Sequence, residues 1–490
     1  YQRAAETAQR TYANDDAIGY YRHLVEPPFV TQLSPQVACE VLTELSKVLS
    51  LAGQTEEAER GARLALAQTQ LLGETRWRFQ AQQRLGDVLR QKGSYDEAIA
   101  WLTQAMDGQQ QSADQQAFMT SCGMLGRTYY LRGDYQRAMT LYEQQLALAD
   151  YLADERSVCD VLSAMGSVFW AQGDLDAAER KLQECVARSA QIGHKSGIAT
   201  AVNVLGNIAK ARGDMASAWQ WYVRLSEIAR AIGHPRALTV AIGNLSDLYA
   251  ARGDYVGYFF YNKEALRIDL HIEDRRLACM AIYSMAQILL LLRQLDHAEV
   301  LADKAMRLGR QLKLTDHLIY IYKTLVEILI ERGRLPEAAE RHAESIALTQ
   351  SFGDRLLLGH DGRFDLAVLG IRLQLLQGQI EAVGAIGELR TLALQTKAAQ
   401  RQAKIEYEVW RIDATQDTAR VDAAILYQQL YAHSPQAEFR RRYAELTREA
   451  LPEPTPIEDV LGLVPAEPFD LAAESARIVN LASQVDVWLT

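Results

Sequence analysis

The sequence predicts an all-α fold, a solenoid of about ten helical hairpins, and three observations predict it. Gly53, Gly93, Gly133, Gly173, Gly213, Gly253 and Gly333 fall on one forty-residue register, with Arg293 at the step that lacks glycine. Eight positions before these turns stand Leu45, Leu85, Leu125, Met165, Leu205, Leu245, Met285 and Leu325. Five positions after them stand Ala58, Ala98, Ala138, Ala178, Ala218, Ala298 and Ala338, with Tyr258 as the exception. A fixed period of this kind marks one supersecondary unit, repeated, whose apolar face is buried only by its neighbours.

Each position has a mechanical reason. The large apolar residue is followed by a small one (Gly86, Gly126, Gly166, Gly206, Ala286), which places a knob in the core beside a site where another helix comes close. The glycine ends the first helix, because the residue after a helix often takes a left-handed backbone that costs glycine nothing special. Asp134, Asp174, Asp214 and Asp254 then stand where an N-cap opens the second helix, and Ser94 with Glu97 spells a capping box. The alanine one turn later keeps the pair close. Two places break the rule: Tyr258 within "GDYVGYFFYNKEAL", and Arg293, which costs about 1 kcal/mol if the left-handed geometry is kept. A local change of curvature, an aromatic contact built from Tyr258, Phe259, Phe260 and Tyr261, or a repacked core accounts for both.

The phrases "LGDVLRQKGSYDEAIAWLTQA" and "LGRTYYLRGDYQRAMTLYEQ" closely resemble the tetratricopeptide (TPR) repeat, with its Leu-Gly pair, its Gly-Asp-Tyr turn and its alanine in the second helix. The common repeat has about 34 residues, so a period of forty requires longer helices or longer links such as "AQIGHKSG". Long repeats of this kind resemble those of kinesin light chains, cell-polarity adaptors and the C-terminal sensor regions of bacterial signalling ATPases and nucleotide cyclases. The resemblance implies a right-handed superhelical solenoid of TPR-like hairpins with a concave groove.

By this reading residues 1–34 are an N-terminal half repeat or cap, 35–354 the regular array, and 355–450 divergent repeats with a C-terminal cap. Five of eleven prolines fall between 452 and 468, so 451–490 reads as a proline-rich linker followed by a short amphipathic tail that could dock on the solenoid or on a partner. The chain opens on helix-like sequence without an initiator methionine, which reads as a piece of a longer protein.

In a TPR array the first helix of each hairpin faces the groove. Register then assigns to a peptide- or partner-binding face Asp87, Arg127, Tyr130, Trp170, Asn203, Asn207, Lys210, Asn244, Asp247, Tyr283 and Gln287, along with Gln83, Arg90, Asp160, Ser163, Ser167, Lys323 and Glu327. Asn203 and Asn207 share a helix face, and an amide both donates to and accepts from an extended backbone. In the long-repeat adaptors the sequence resembles, asparagines at such places hold the bound peptide. A neighbouring Lys or Arg takes a carboxylate.

Composition excludes other classes. Apolar residues make up 49% and charged residues 23%, enough for a core. A net charge of -10 gives no general attraction to nucleic acid or anionic lipid, and the basic run "FRRRYAELTR" reads as a solvated terminal helix. Cys39, Cys122, Cys159, Cys185 and Cys279 are scattered, which fits a reducing, cytoplasmic setting. No phosphate loop, dinucleotide fingerprint, HExxH or GxSxG occurs, so no enzyme, cofactor or metal is expected. His194 and His234 read as link residues, and His360, Asp361 and Asp365 of "GHDGRFD" as a polar loop. The expectation is a non-catalytic scaffold or sensor that binds a protein segment, whether from a partner or from another domain of its own polypeptide, without nucleic acid or membrane. The alternative is a regulator of the peptide-pheromone receptor type that changes pitch on binding.

Overall fold

The computed structural model describes the chain except for residues 11–13, 27–28, 30–31, 52–53, 73–74, 313, 353–358, 467 and 490, and the helical side chains of 10, 14–15, 51, 75, 315–316, 351–352 and 359–361. In chain order α1 (Gln2–Arg10), α2 (Asn14–Val25), α3 (Pro35–Leu51) and α4 (Thr55–Gln68) precede a stretch of near-equal helices. These are α5 (Thr75–Gln91), α6 (Tyr95–Gln111), α7 (Gln115–Arg132), α8 (Tyr135–Tyr151), α9 (Glu155–Ala171), α10 (Leu175–Gln191), α11 (Lys195–Ala211), α12 (Met215–Ala231), α13 (Pro235–Arg252), α14 (Tyr255–His271), α15 (Arg275–Leu291), α16 (Leu295–Gln311), α17 (Thr315–Glu331) and α18 (Leu335–Phe352). Then come α19 (Gly359–Leu376), α20 (Ala382–Ala393), α21 (Ala399–Ile412), α22 (Asp417–His433), α23 (Ala437–Thr447) and the tail helix α24 (Leu471–Ala482). Among the described residues no strand occurs, and the fold is an all-α array of TPR-like hairpins.

The forty-residue period resolves into helices of 17 or 18 residues joined by short links of similar length. At 1.5 Å per residue each helix runs about 25 Å. The extra length over the common repeat therefore lies in the helices. Gly93, Gly133, Gly173, Gly213, Gly253 and Gly333 all take positive φ, and Arg293 keeps the same left-handed turn at φ 61°. Gly53 lies outside the described residues. A second left-handed register, halfway between the first, was not anticipated: Ala113, Ala153, Gly193, Gly233 and Glu273.

The caps follow the same two registers. Asp134, Asp174, Asp214 and Asp254 accept the backbone N–H of Arg137, Ala177, Ser217 and Gly257. At the links between hairpins Asp114, Asp154 and Asp274 do likewise, and His234 does so through Nδ1 from Ala237. The predicted capping box of Ser94 and Glu97 does not form. Ser94 makes no side-chain cap bond, and Glu97 is drawn instead into an ion pair with Arg63 of the preceding hairpin at 2.6 Å.

The seven repeat alanines are fully buried. Gly86 and Gly166 show why a small residue follows the large one: a Cβ at either would stand within 2.7 Å of Leu102 or Leu182 on the second helix. Tyr258 is buried as well, so the larger side chain is absorbed in the core. All five cysteines are buried thiols outside any disulfide.

The array divides into two compact units. The first comprises Tyr1–Ile208, Arg224–Leu238 and Ile268–Ala278, the second Ala209–Val223, Thr239–Arg267 and Cys279–Thr490. In the first, the segment read as a half repeat holds two helices, α1 and α2, packed on each other and on α3. Their Ala5, Ile18 and Tyr21 join a core with Leu45, Leu85 and Ala98. In the second, the divergent repeats build cores around Phe364, Val368, Leu389 and Ile405, then around Tyr407, Tyr427 and Phe439. Here the chain also returns on itself: a Cβ on Gly213 would lie 2.6 Å from the His433 carbonyl, and one on Gly253 2.8 Å from Ala437.

The tail packs within the second unit along α13, α14 and α16. Tyr249 donates to the Glu458 carbonyl at 3.1 Å, and Tyr261 donates to Asp459 at 2.9 Å. The Phe469 ring meets Phe259 and Phe260 at 6.4 and 5.1 Å between centroids. Lys263 donates to Glu474 at 2.6 Å, Lys304 pairs with Asp486, and Gln311 donates to the Trp488 carbonyl at 2.8 Å.

Candidate functional site

The second unit contains a cavity of about 810 Å³. Odd-numbered helices form one wall: Lys210 from α11, Asp247 from α13, Gln287 from α15, and Lys323, Thr324, Glu327 and Glu331 from α17. The repeat register sets this lining, because positions 247, 287 and 327 are spaced by forty on successive helices. The other wall comes from the divergent end of the array, through Arg372, Arg411, Arg441, Arg442 and Glu445. The basic run read as a solvated terminal helix thus supplies two arginines to a cavity. Arg442 also lies 4.0 Å from the Tyr407 ring centroid.

The charges are paired along the walls. Lys210 donates to Asp247 at 2.8 Å. Arg293 and Arg372 reach the two oxygens of Glu331 at 2.5 and 3.5 Å, and both hold its carboxyl below the usual range against the opposing effect of burial. Asp365 bridges Lys323 and Lys404; burial opposes its charge, yet the two ammonium groups keep its carboxyl low. Asp365 is thereby committed to lysines, while the side chains of His360 and Asp361 lie outside the described residues. A cavity lined by compensated ion pairs offers an apolar ligand little, but it can exchange pairs with a polar one.

The remaining predicted residues lie elsewhere. Asn244 is half-buried on α13 in the second unit. Tyr283 is buried, and burial pushes its hydroxyl pKa up; it does not line the cavity. In the first unit Asp87 is shared by Arg84 at 3.2 Å and Arg90 at 3.1 Å, with Gln91 at 2.9 Å. Tyr130 rests against Tyr135 at 5.9 Å, Trp170 is exposed, and Asn203 and Asn207 are half-buried on α11. The predicted set is therefore split: Lys210, Asp247 and Gln287 share the cavity, whereas Asp87, Arg127, Tyr130, Trp170, Asn203 and Asn207 belong to the first unit. Arg293, Glu331 and the α23 arginines were missed. Register alone points to the first two, which stand six and four residues after the cavity positions 287 and 327.

The two ring nitrogens of His194 lie 3.0 Å from the Asp160 carboxylate of α9 and 3.3 Å from the Ser196 hydroxyl of α11, so both are occupied within the array. Among the described residues no group of three His, Cys, Asp or Glu side chains could hold a metal, and no helix is long and apolar enough to cross a membrane.

Residues 191–445 match the family described as the MalT-like TPR region, and residues 37–111 and 117–191 match the tetratricopeptide repeat. The chain belongs to the MalT-like TPR family. In this MalT-like array the family match takes in α11 to α22 and nearly all of α23, and with them every residue that lines the cavity. No curated protein matches the chain. Among solved structures it is similar to a signal transduction ATPase with numerous domains from Pyrococcus horikoshii that carries a tetratricopeptide repeat sensor, at 15% identity and a TM-score of 0.47 over 75% of this chain and 54% of that one. The chain spans about half the length of that protein. It is also similar to BtubC from P. vanneervenii (20% identity, TM-score 0.36, 47% and 92% covered) and to human IFIT1 (14%, 0.44, 84% and 90%). As a TPR protein the MalT-like chain is a protein-interaction scaffold.

Proposed function

We propose that this chain is a non-catalytic sensor module of a larger signalling protein, and that it holds a polar protein segment in the cavity of its second unit. The carrying observation is the cavity itself: about 810 Å³, lined on two sides by ion pairs that lie within reach of exchange, with Tyr255 and Tyr258 at one flank. An extended segment bearing both signs of charge satisfies such walls, and its backbone finds a partner in the Gln287 amide. The segment comes from a partner or from another domain of the same polypeptide, and buried cysteines outside any disulfide suit a cytoplasmic setting.

The test is selection of a phage-displayed twelve-residue peptide library on the full chain, beside Gln287→Trp, whose indole fills part of the cavity. Clones that bind the parent and lose the variant support this reading, provided both proteins melt alike. Clones that bind both equally move the site elsewhere, and a library that yields no clone rejects the reading.

A further inference from the structure

Two successive links between hairpins of the first unit share one backbone and differ in the side chains around it. Ala113 and Ala153 take the left-handed turn at φ 54° and 52°, and Asp114 and Asp154 then cap α7 and α9. Each pair is one repeat apart, so every position around the first link has a counterpart around the second.

At the second link the surface is closed by charge. Arg188 of α10 lies 3.8 Å from Asp150, 3.6 Å from Glu155 and 3.7 Å from Glu184. One repeat earlier the same four places hold Leu148, Gln110, Gln115 and Gln144. An amide stands for each acid and an apolar side chain for the arginine. Loss of one member would strand its ionic partners; here the whole quartet has lost its charge together.

Around this first link lies a crevice of about 540 Å³, within the range of about 300–1,000 Å³ usual for small-molecule sites. Two rings line it. Phe118 of α7 is half-buried and packs on the core of Leu102 and Cys122, which makes it a fixed platform, whereas Tyr151 at the end of α8 is 74% exposed. Leu148 lies on the same wall, and the amides of Gln110, Gln115 and Gln144 form a polar rim. Asp114, the ionic side chain of the lining, accepts from the Ala117 N–H at the start of α7. A charged ligand therefore finds no counter-ion, and a desolvated charge without one is costly. An uncharged ring gains apolar contact and aromatic stacking, and an amide rim both donates to and accepts from its polar edge.

We infer that this crevice is a binding site for an uncharged, planar aromatic small molecule, held by Phe118, Leu148 and Tyr151 with its polar edge toward the glutamine amides. The site belongs to the outer links of the first unit. It is separate from the cavity of the second unit and does not depend on that reading.

The experiment is a fluorescence titration of the full chain with Nile red, an uncharged fused-ring dye with a carbonyl edge, beside Nile blue, which carries a positive charge on the same ring frame. The expected result is saturable binding of one Nile red per chain, with Nile blue at least tenfold weaker. Leu148→Arg, which copies the residue of the next repeat, and Tyr151→Ser, at an exposed position, should each weaken Nile red at least fivefold. Leu64→Arg, at an exposed leucine of α4, should leave it within twofold. Circular dichroism melts establish that the variants fold, and the exposure of Tyr151 keeps that variant informative if Leu148→Arg is unstable. Absence of saturable binding, equal affinity for Nile blue, or an affinity unchanged by Tyr151→Ser each overturns the proposal. A loss as large with Leu64→Arg overturns it too, in favour of unspecific adsorption to exposed apolar side chains.

Discussion

The Tyr261 hydroxyl donates to the Asp459 carboxylate across 198 positions of sequence, and the Tyr249 hydroxyl, which donates to the Glu458 carbonyl, lies 3.4 Å from it. Asp459 in turn accepts from the backbone N–H of Leu463 and Val464 at 3.2 and 2.8 Å. One carboxylate thus orders a turn within the proline-rich stretch and fastens it to α14. Tyr261→Phe removes the tyrosine donor and nothing else of size. It should cost about 1–2 kcal/mol, and hydrogen exchange of residues 458–489 should quicken while that of α5 to α10 stays as it was.

Turn glycines divide into those that touch something and those that do not. Gly333 takes φ 72° with open space around the missing Cβ, whereas Gly213 takes φ 78° with the His433 carbonyl 2.6 Å from that point. Gly333→Ala should therefore lose only the left-handed penalty, about 1 kcal/mol. Gly213→Ala should lose more, because backbone must move. Urea unfolding of the two variants, compared at equal slope, measures the contact between this turn and the end of α22; equal losses would mean that the contact carries no energy.

Acid should loosen the tail. The Lys263 ammonium, hydrogen-bonded to Glu474, holds that carboxyl below the usual range, with Arg477 assisting. A carboxyl whose folded pKa is depressed adds stability above its unfolded value, and that stability is lost as pH falls through the folded pKa. Because Lys263 is partly exposed, the contribution is small, about 0.5–1 kcal/mol. Glu474→Gln should thus unfold earlier than the parent at pH 7, and the two urea midpoints should converge below about pH 4. A gap that persisted in acid would show packing, not charge, to be the cause.

Much of the fold was legible because a repeat writes its local physics many times. Turn glycines, N-cap aspartates and repeat alanines each have one residue type that serves best, so they stand out in a single sequence. The second left-handed register was not legible, because Ala113, Ala153 and Glu273 take that geometry without the residue that signals it. Ser94 misled for the opposite reason: the capping letters are present, but Glu97 is captured by Arg63. Register singles out Lys210, Asp247 and Gln287, which line the cavity, along with others that do not. What register cannot supply is the far wall, where Arg441 and Arg442 line the same cavity as Lys210 and Asp247, some 200 residues earlier. Contacts of that span obey no period.

Near-equal helices and two left-handed turns per hairpin also bear on how such a chain can change its length. Asp134 and Asp174 follow the same turn, accept the same N–H and open helices of the same 17 residues. Splicing one directly to the segment that follows the other removes forty residues and leaves every surviving junction of a kind already present. Unequal recombination can therefore shorten or lengthen the first unit in whole blocks. The second unit has no such freedom, since a block lost between α14 and α16 would strand one anchor of the tail: copy number can drift at one end of the gene and is pinned at the other.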